Sequence, residues 1–106
     1  MTAQIYTIAD IQTLLSPVFA SYKIRKAVLF GSYAKGSAEI RSDIDLLVDS
    51  GLKGIAFFGL LEDVVTALNR DVDLLDTSQV IPGSEVDREI AKTGVVIYES
   101  ERQASA

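Results

Sequence analysis

Leu29-Phe30-Gly31-Ser32, a spacer of about ten residues, then Asp43-Ile44-Asp45-Leu46-Leu47-Val48: this stretch decides the fold. Ala27 to Phe30 is a short apolar run that stops at Gly31, the form of a buried strand feeding a glycine turn. After the spacer, Ile44, Leu46 and Val48 alternate with Asp43, Asp45 and Leu47. That spacing predicts a second strand, Asp43 to Val48, with one apolar and one acidic face. Tyr33 to Arg41 carries Gly36, Ser37 and mixed charge without a period, so a short helical turn followed by a loop is expected between the strands.

Outward from this stretch, helices and strands alternate. Upstream, Ile8, Ile11, Leu14, Leu15, Val18, Phe19 and Tyr22 recur at steps of three and four, predicting a helix over Thr7 to Tyr22. Thr7 or Asp10 can cap its start, and Pro17 predicts a kink or break near Ser16. Lys23, Arg25 and Lys26 read as a solvated turn. Downstream, Ile55, Phe58, Leu61, Val65 and Leu68 mark a helix that Asn69-Arg70 ends. A third strand is expected at Val72 to Leu75, with Asp71 and Asp73 opposite Val72 and Leu74. Pro82-Gly83 and Gly94 bracket a last helix over Ser84 to Lys92, and Val95 to Tyr98 closes as a strand. The apolar stripes of all three helices are assigned to the core, with Phe57 or Phe58 also available to a partner. The expected fold is therefore α/β: one two-layer domain over residues 1–99, a mixed sheet with helices mainly on one face, and a fraying tail over 100–106.

Composition narrows the chemistry. A chain of 106 residues with 48% apolar residues can bury one core, but a site needing deep walls on all sides would borrow one from another chain. A net charge of -5 gives no basic field for a phosphate backbone, so direct nucleic-acid binding is not expected. With no cysteine and no histidine, the chemistry falls to carboxylates, hydroxyls and Lys/Arg. No apolar run approaches the roughly 20 residues that span a bilayer, and the N-terminus lacks a signal-peptide pattern, which makes the cytoplasm the expected compartment.

Asp43 and Asp45, two apart on a strand, project to one face with Cα atoms roughly 6 to 7 Å apart. Such a pair can grip a hard divalent cation such as Mg²⁺, and Asp73 on another strand can supply a third carboxylate. Alone, Asp-x-Asp on a half-exposed strand is more often a polar face, and Gly-Ser an ordinary turn. Gly31-Ser32 directly after a buried strand adds close backbone approach and N–H groups for a phosphate. The ordered combination is far more specific than either part.

Leu29 through Gly36, and Ser42 through Val48, resemble the polymerase-β-like nucleotidyltransferase superfamily and, more narrowly, the minimal nucleotidyltransferase (MNT) proteins of prokaryotes. Val72-Asp73-Leu74 stands at the family's third carboxylate and Val95-Val96-Ile97-Tyr98 at its closing strand. The resemblance implies the polymerase-β-like nucleotidyltransferase fold. It implies metal binding by Asp43 and Asp45, completed by Asp73, which also helps deprotonate the attacking hydroxyl, and a triphosphate held by Gly31 and Ser32. Lys35 stands where many relatives have Arg and cannot make the bidentate fork. Lys35 and Arg41 are candidates to neutralise phosphate charge, and read equally well as exposed loop cations. Ser42 braces the entry to the strand.

Minimal members of the family are typically encoded with a helical HEPN ribonuclease toxin. The implied function is a metal-dependent adenylyltransferase that uses ATP and Mg²⁺ to place AMP on a tyrosine of that toxin, acting as its antitoxin in a hetero-oligomer. Two alternatives stand beside it: transfer to a small molecule or an RNA end, against which size and acidity count, and an antitoxin that masks its partner by binding alone.

Overall fold

The computed structural model describes residues 5–100. In order these are α1 (Ile8–Ser21), β1 (Lys26–Phe30), α2 (Ser32–Lys35), β2 (Ile44–Asp49), α3 (Ile55–Leu68), β3 (Val72–Asp76), a 3-10 turn (Thr77–Gln79), α4 (Glu85–Thr93) and β4 (Val95–Glu99). The strands form one mixed sheet in the order β3-β2-β1-β4. β1 runs antiparallel to both β2 and β4, while β2 and β3 are parallel. The expected two-layer α/β architecture is present, with both long helices on one face.

Strand alternation builds the core. Ala27 and Leu29 of β1, Ile44, Leu46 and Val48 of β2, and Leu74 of β3 face α1 and α3. Ile11, Leu15 and Phe19 of α1 meet them together with Leu60, Val64 and Leu68 of α3. Thr7 caps α1 by accepting from the Asp10 N–H at 3.0 Å, and the Asp10 carboxylate accepts from the Thr7 N–H at 3.0 Å, closing a capping box.

Several expectations are corrected. α1 does not break at Pro17, because the residue is exposed on the solvent side and Leu15 and Phe19 anchor the helix before and after it. Lys23 to Lys26 is more than a solvated turn: Ile24 is fully buried, Arg25 pairs with Asp49 at 2.7 Å, and Lys26 opens β1. On α3 the buried stripe is Leu60, Val64 and Leu68, while Ile55 and Phe58 are exposed. The helix is apolar nearly all round, so its period alone does not select the face. α4 buries no residue in the core and lies against the other face of the sheet, so its apolar stripe belongs to neither core layer. Glu99 is the last residue of β4, opposite Lys26, and Ser100 donates its N–H to the Arg25 carbonyl at 2.9 Å; residues 101–106 of the expected tail lie outside the described residues. Among the described residues no helix is long and apolar enough to cross a membrane.

Asp76, at the end of β3, is the principal buried acid of the scaffold. Its carboxylate accepts from the Ser50 N–H and hydroxyl and from the Ser78 N–H and hydroxyl, at 2.6 to 3.0 Å. Burial pushes its pKa up, but the hydrogen bonds from Ser50 and Ser78 outweigh that and hold it below the ordinary carboxylate value. A depressed pKa contributes stability that is complete above the unfolded value near ~3.9 and is lost as pH falls through the folded value. Asp76→Ala is expected to cost about 2 kcal/mol at pH 7 by chemical denaturation, with the difference from wild type shrinking as the pH is taken below about 4.

Candidate active site

The face of the sheet opposite the core carries the acids. Phe30, Asp45 and Asp73 are direct neighbours across β1, β2 and β3. Residues in register point the same way, so two carboxylates lie side by side beyond a buried phenyl ring. Asp43 precedes β2 by one residue and is exposed, as is Asp73, whereas Asp45 is half-buried. The strand therefore begins at Ile44 rather than Asp43, anchored by the Ile44 N–H donating to the Asp71 carbonyl at 3.2 Å.

Burial, reinforced by the negative charges of Asp73, Asp43 and Glu89, pushes the Asp45 carboxyl up to about 6. The structure thus brings Asp43, Asp45 and Asp73 within electrostatic reach of one another. Among the described residues, no three acidic side chains are already drawn around a common cation position. Like charges on two exposed side chains favour that spread. The donor set is all oxygen, with no thiolate or imidazole near it, and its mutual repulsion is of the kind a hard divalent cation relieves. The residues present therefore suit Mg²⁺ in their chemistry.

Gly31 turns the end of β1 into α2 with φ +76° and ψ -150°, a conformation open in practice only to glycine. A Cβ there would also collide with the Asp45 carboxylate oxygen Oδ2. The glycine turn and the half-buried aspartate are thus packed directly together. Ser32 opens α2, whose first-turn N–H groups have no intrahelical acceptor. The Gly31 N–H, read from sequence as open to a phosphate, is in fact taken by the Thr93 hydroxyl at 2.9 Å.

Lys35 and Arg41 are both exposed, Lys35 in the last turn of α2 and Arg41 in the following loop. Neither forms an ion pair; among the described residues the one salt bridge is Arg25–Asp49. Ser42 braces its loop as expected, its hydroxyl accepting from the Glu39 N–H at 2.8 Å. Arg70 also holds this loop, donating to the Ile40 carbonyl at 2.7 Å.

Sequence reasoning expected α4 but gave it no part in the site. Glu89 acts on Asp45, and together with Phe30, Val86 and Lys92 it lines a cleft of about 590 Å³ beside the carboxylates. The sequence carried no local signal for this, since α4 is charged and buries no residue, and only the folded chain brings Glu89 to the acidic face.

Fold and site together define a nucleotidyl-transferring enzyme. The chain belongs to the family described as Polymerase beta, Nucleotidyltransferase, which matches residues 14–103. It is 30% identical over 78 residues to a candidate protein adenylyltransferase of Methanocaldococcus jannaschii, an overlap of 71% of this chain and 83% of that one. It also superposes with a TM-score of 0.70 on a chain of a crystallised toxin-antitoxin pair with AMP-PNP, at 26% identity, covering 89% of this chain and 77% of that one. The same fold recurs, with a TM-score of 0.65 and 23% identity over 93% of this chain and 78% of that one, in a complex of the tri-AMPylated HEPN toxin of Shewanella oneidensis with its MNT antitoxin.

The raised pKa of Asp45 has a consequence for stability. A carboxyl whose folded pKa lies above its unfolded one contributes least when ionised: stability is complete below about 3.9 and falls as pH rises through 6. Asp45→Asn is therefore expected to stabilise the metal-free protein at pH 8 by about 1 to 2 kcal/mol, after allowance for solvent screening. At pH 4 its thermal midpoint should match wild type.

Proposed function

We propose that this nucleotidyltransferase moves AMP from ATP to a hydroxyl of a partner protein, a tyrosine of a HEPN-type toxin, and so serves as the antitoxin of that pair. The observation that carries the reading is the register of Asp45 beside Asp73, with Gly31 packed on Asp45. The crystallised toxin-antitoxin neighbour with AMP-PNP supports the choice of an adenine nucleotide and a toxin, and the Methanocaldococcus jannaschii relative supports a protein acceptor. The acidic surface, with a net charge of -5, agrees with a protein acceptor better than with a nucleic-acid end. The cytoplasm supplies both ATP and Mg²⁺.

In this reading Asp43, Asp45 and Asp73 hold Mg²⁺, which when bound neutralises charge on the α-phosphate and on the departing pyrophosphate. The Gly31-Ser32 turn seats the triphosphate. Asp73, the exposed member of the in-register pair, accepts the proton of the attacking hydroxyl. Oxygen of that hydroxyl bonds to the α-phosphorus while the bond to the β-phosphate oxygen breaks, and pyrophosphate leaves. Lys35 and Arg41, exposed and without a salt bridge among the described residues, would meet phosphate charge from the loop side. Masking of the partner by binding alone stands as the second reading.

Incubation with α-labelled ATP and Mg²⁺, with and without the neighbouring-encoded helical protein, separates the two. Label is expected on the partner, lost with EDTA and reduced at least a hundredfold in Asp43→Ala/Asp45→Ala. Tight complex formation with no label from ATP or any other nucleotide would leave only masking.

A further inference from the structure

Thr93, in the last turn of α4, is tied to the glycine turn 62 positions before it. Its hydroxyl accepts the Gly31 N–H at 2.9 Å and donates to the Glu89 carbonyl at 2.9 Å, so both of its capacities are used. α4 has no fully buried residue, so specific contacts near its end carry weight in its placement. One is this hydroxyl. Another is Gly94, where a Cβ would press on Val28 Cγ1 at 3.0 Å, so the chain leaves α4 in close contact with β1.

Gly31 is buried, and its N–H cannot turn to water if the hydroxyl is removed. It also has no room on the Asp45 side. The glycine turn is consequently held from two directions, by Asp45 in front and Thr93 behind. Glycine restricts its own backbone least of all residues, so this turn keeps its shape through such contacts. One turn back along α4, Glu89 reaches the field of Asp45. The same hydroxyl thus joins the residue that packs on Asp45 to the helix that carries Glu89.

We propose that Thr93 is a positioning residue for nucleotidyl transfer, its hydroxyl locking α4 to Gly31 so that the turn is preformed for the triphosphate. This rests on the reading that Gly31-Ser32 seats the nucleotide. It assigns to α4 a part in the site that its exposed, charged surface does not advertise.

The test compares Thr93→Val, which keeps the shape and removes the hydroxyl, with Thr93→Ser, which keeps the hydroxyl. ATP affinity with Mg²⁺ is measured by titration calorimetry well below each variant's melting temperature, and exchange of the Gly31 amide by NMR. Thr93→Val is expected to weaken ATP binding roughly tenfold and to speed Gly31 exchange, with Thr93→Ser restoring both. Wild-type affinity in Thr93→Val, or failure of Thr93→Ser to restore it, overturns the inference. If wild type binds no ATP while its Gly31 amide stays protected, the nucleotide reading itself falls and the inference with it.

Discussion

The contact between Gly31 and the Asp45 carboxylate is the constraint around which the molecule is arranged. A half-buried anion must sit against a backbone that offers no side chain, and strand pairing sets it beside a second anion at Asp73. Neither condition is favourable in itself, as the upward displacement of the Asp45 pKa records. What holds the arrangement is the opposite face of the same strands, where Leu29, Ile44, Leu46 and Leu74 are locked beneath α1 and α3. Strand alternation makes the two faces inseparable: a slip of one residue in β2 would bring Asp45 into the core and Leu46 into the site. The apolar face enforces the register, and the register delivers the carboxylates.

That coupling is why so much was legible beforehand. Period-two alternation in Ile44-Asp45-Leu46-Leu47-Val48 and in Val72-Asp73-Leu74 states which side chains share a face, and an apolar run ending in Gly31 marks the turn. α3 shows where periodicity stops being informative. Ile55, Phe58 and Val65 obey helical spacing as well as Leu60, Val64 and Leu68 do, and only packing in the folded chain selects the second set. Pro17 illustrates a local rule overridden by tertiary packing, since its missing bond lies on the water side of α1. Thr93 was illegible for a different reason: a side-chain bond to a backbone 62 residues away leaves no trace in any window of sequence.

The site is open to solvent over much of its extent. Beyond Phe30, Asp45 and Asp73, α4 walls one side of the acidic face among the described residues. An open site handles a triphosphate less selectively than an enclosed one, since water competes with each polar contact. A protein acceptor that covers the face would supply the missing wall and the attacking hydroxyl together. Enzyme and substrate would then complete one pocket between them, which suits a transferase whose acceptor is a neighbouring protein rather than a small molecule.

Stability and the proposed activity pull against each other at Asp45. Ionising it beside Asp73, Asp43 and Glu89 costs folding free energy that neutral Asn at the same position would spare. The penalty is present only while the negative charges face one another unscreened, and any cation seated among them reverses its sign. Binding of a divalent ion would therefore stabilise the fold by more than its contacts alone, because it also relieves repulsion already stored in the sheet. On the proposed reading, cation and nucleotide binding would reinforce each other for the same reason, as a triphosphate brought to Gly31 without a counter-charge would add to the repulsion. In the proposed reading, Mg²⁺ bound to nucleotide would meet on this face a repulsion that it relieves on arrival.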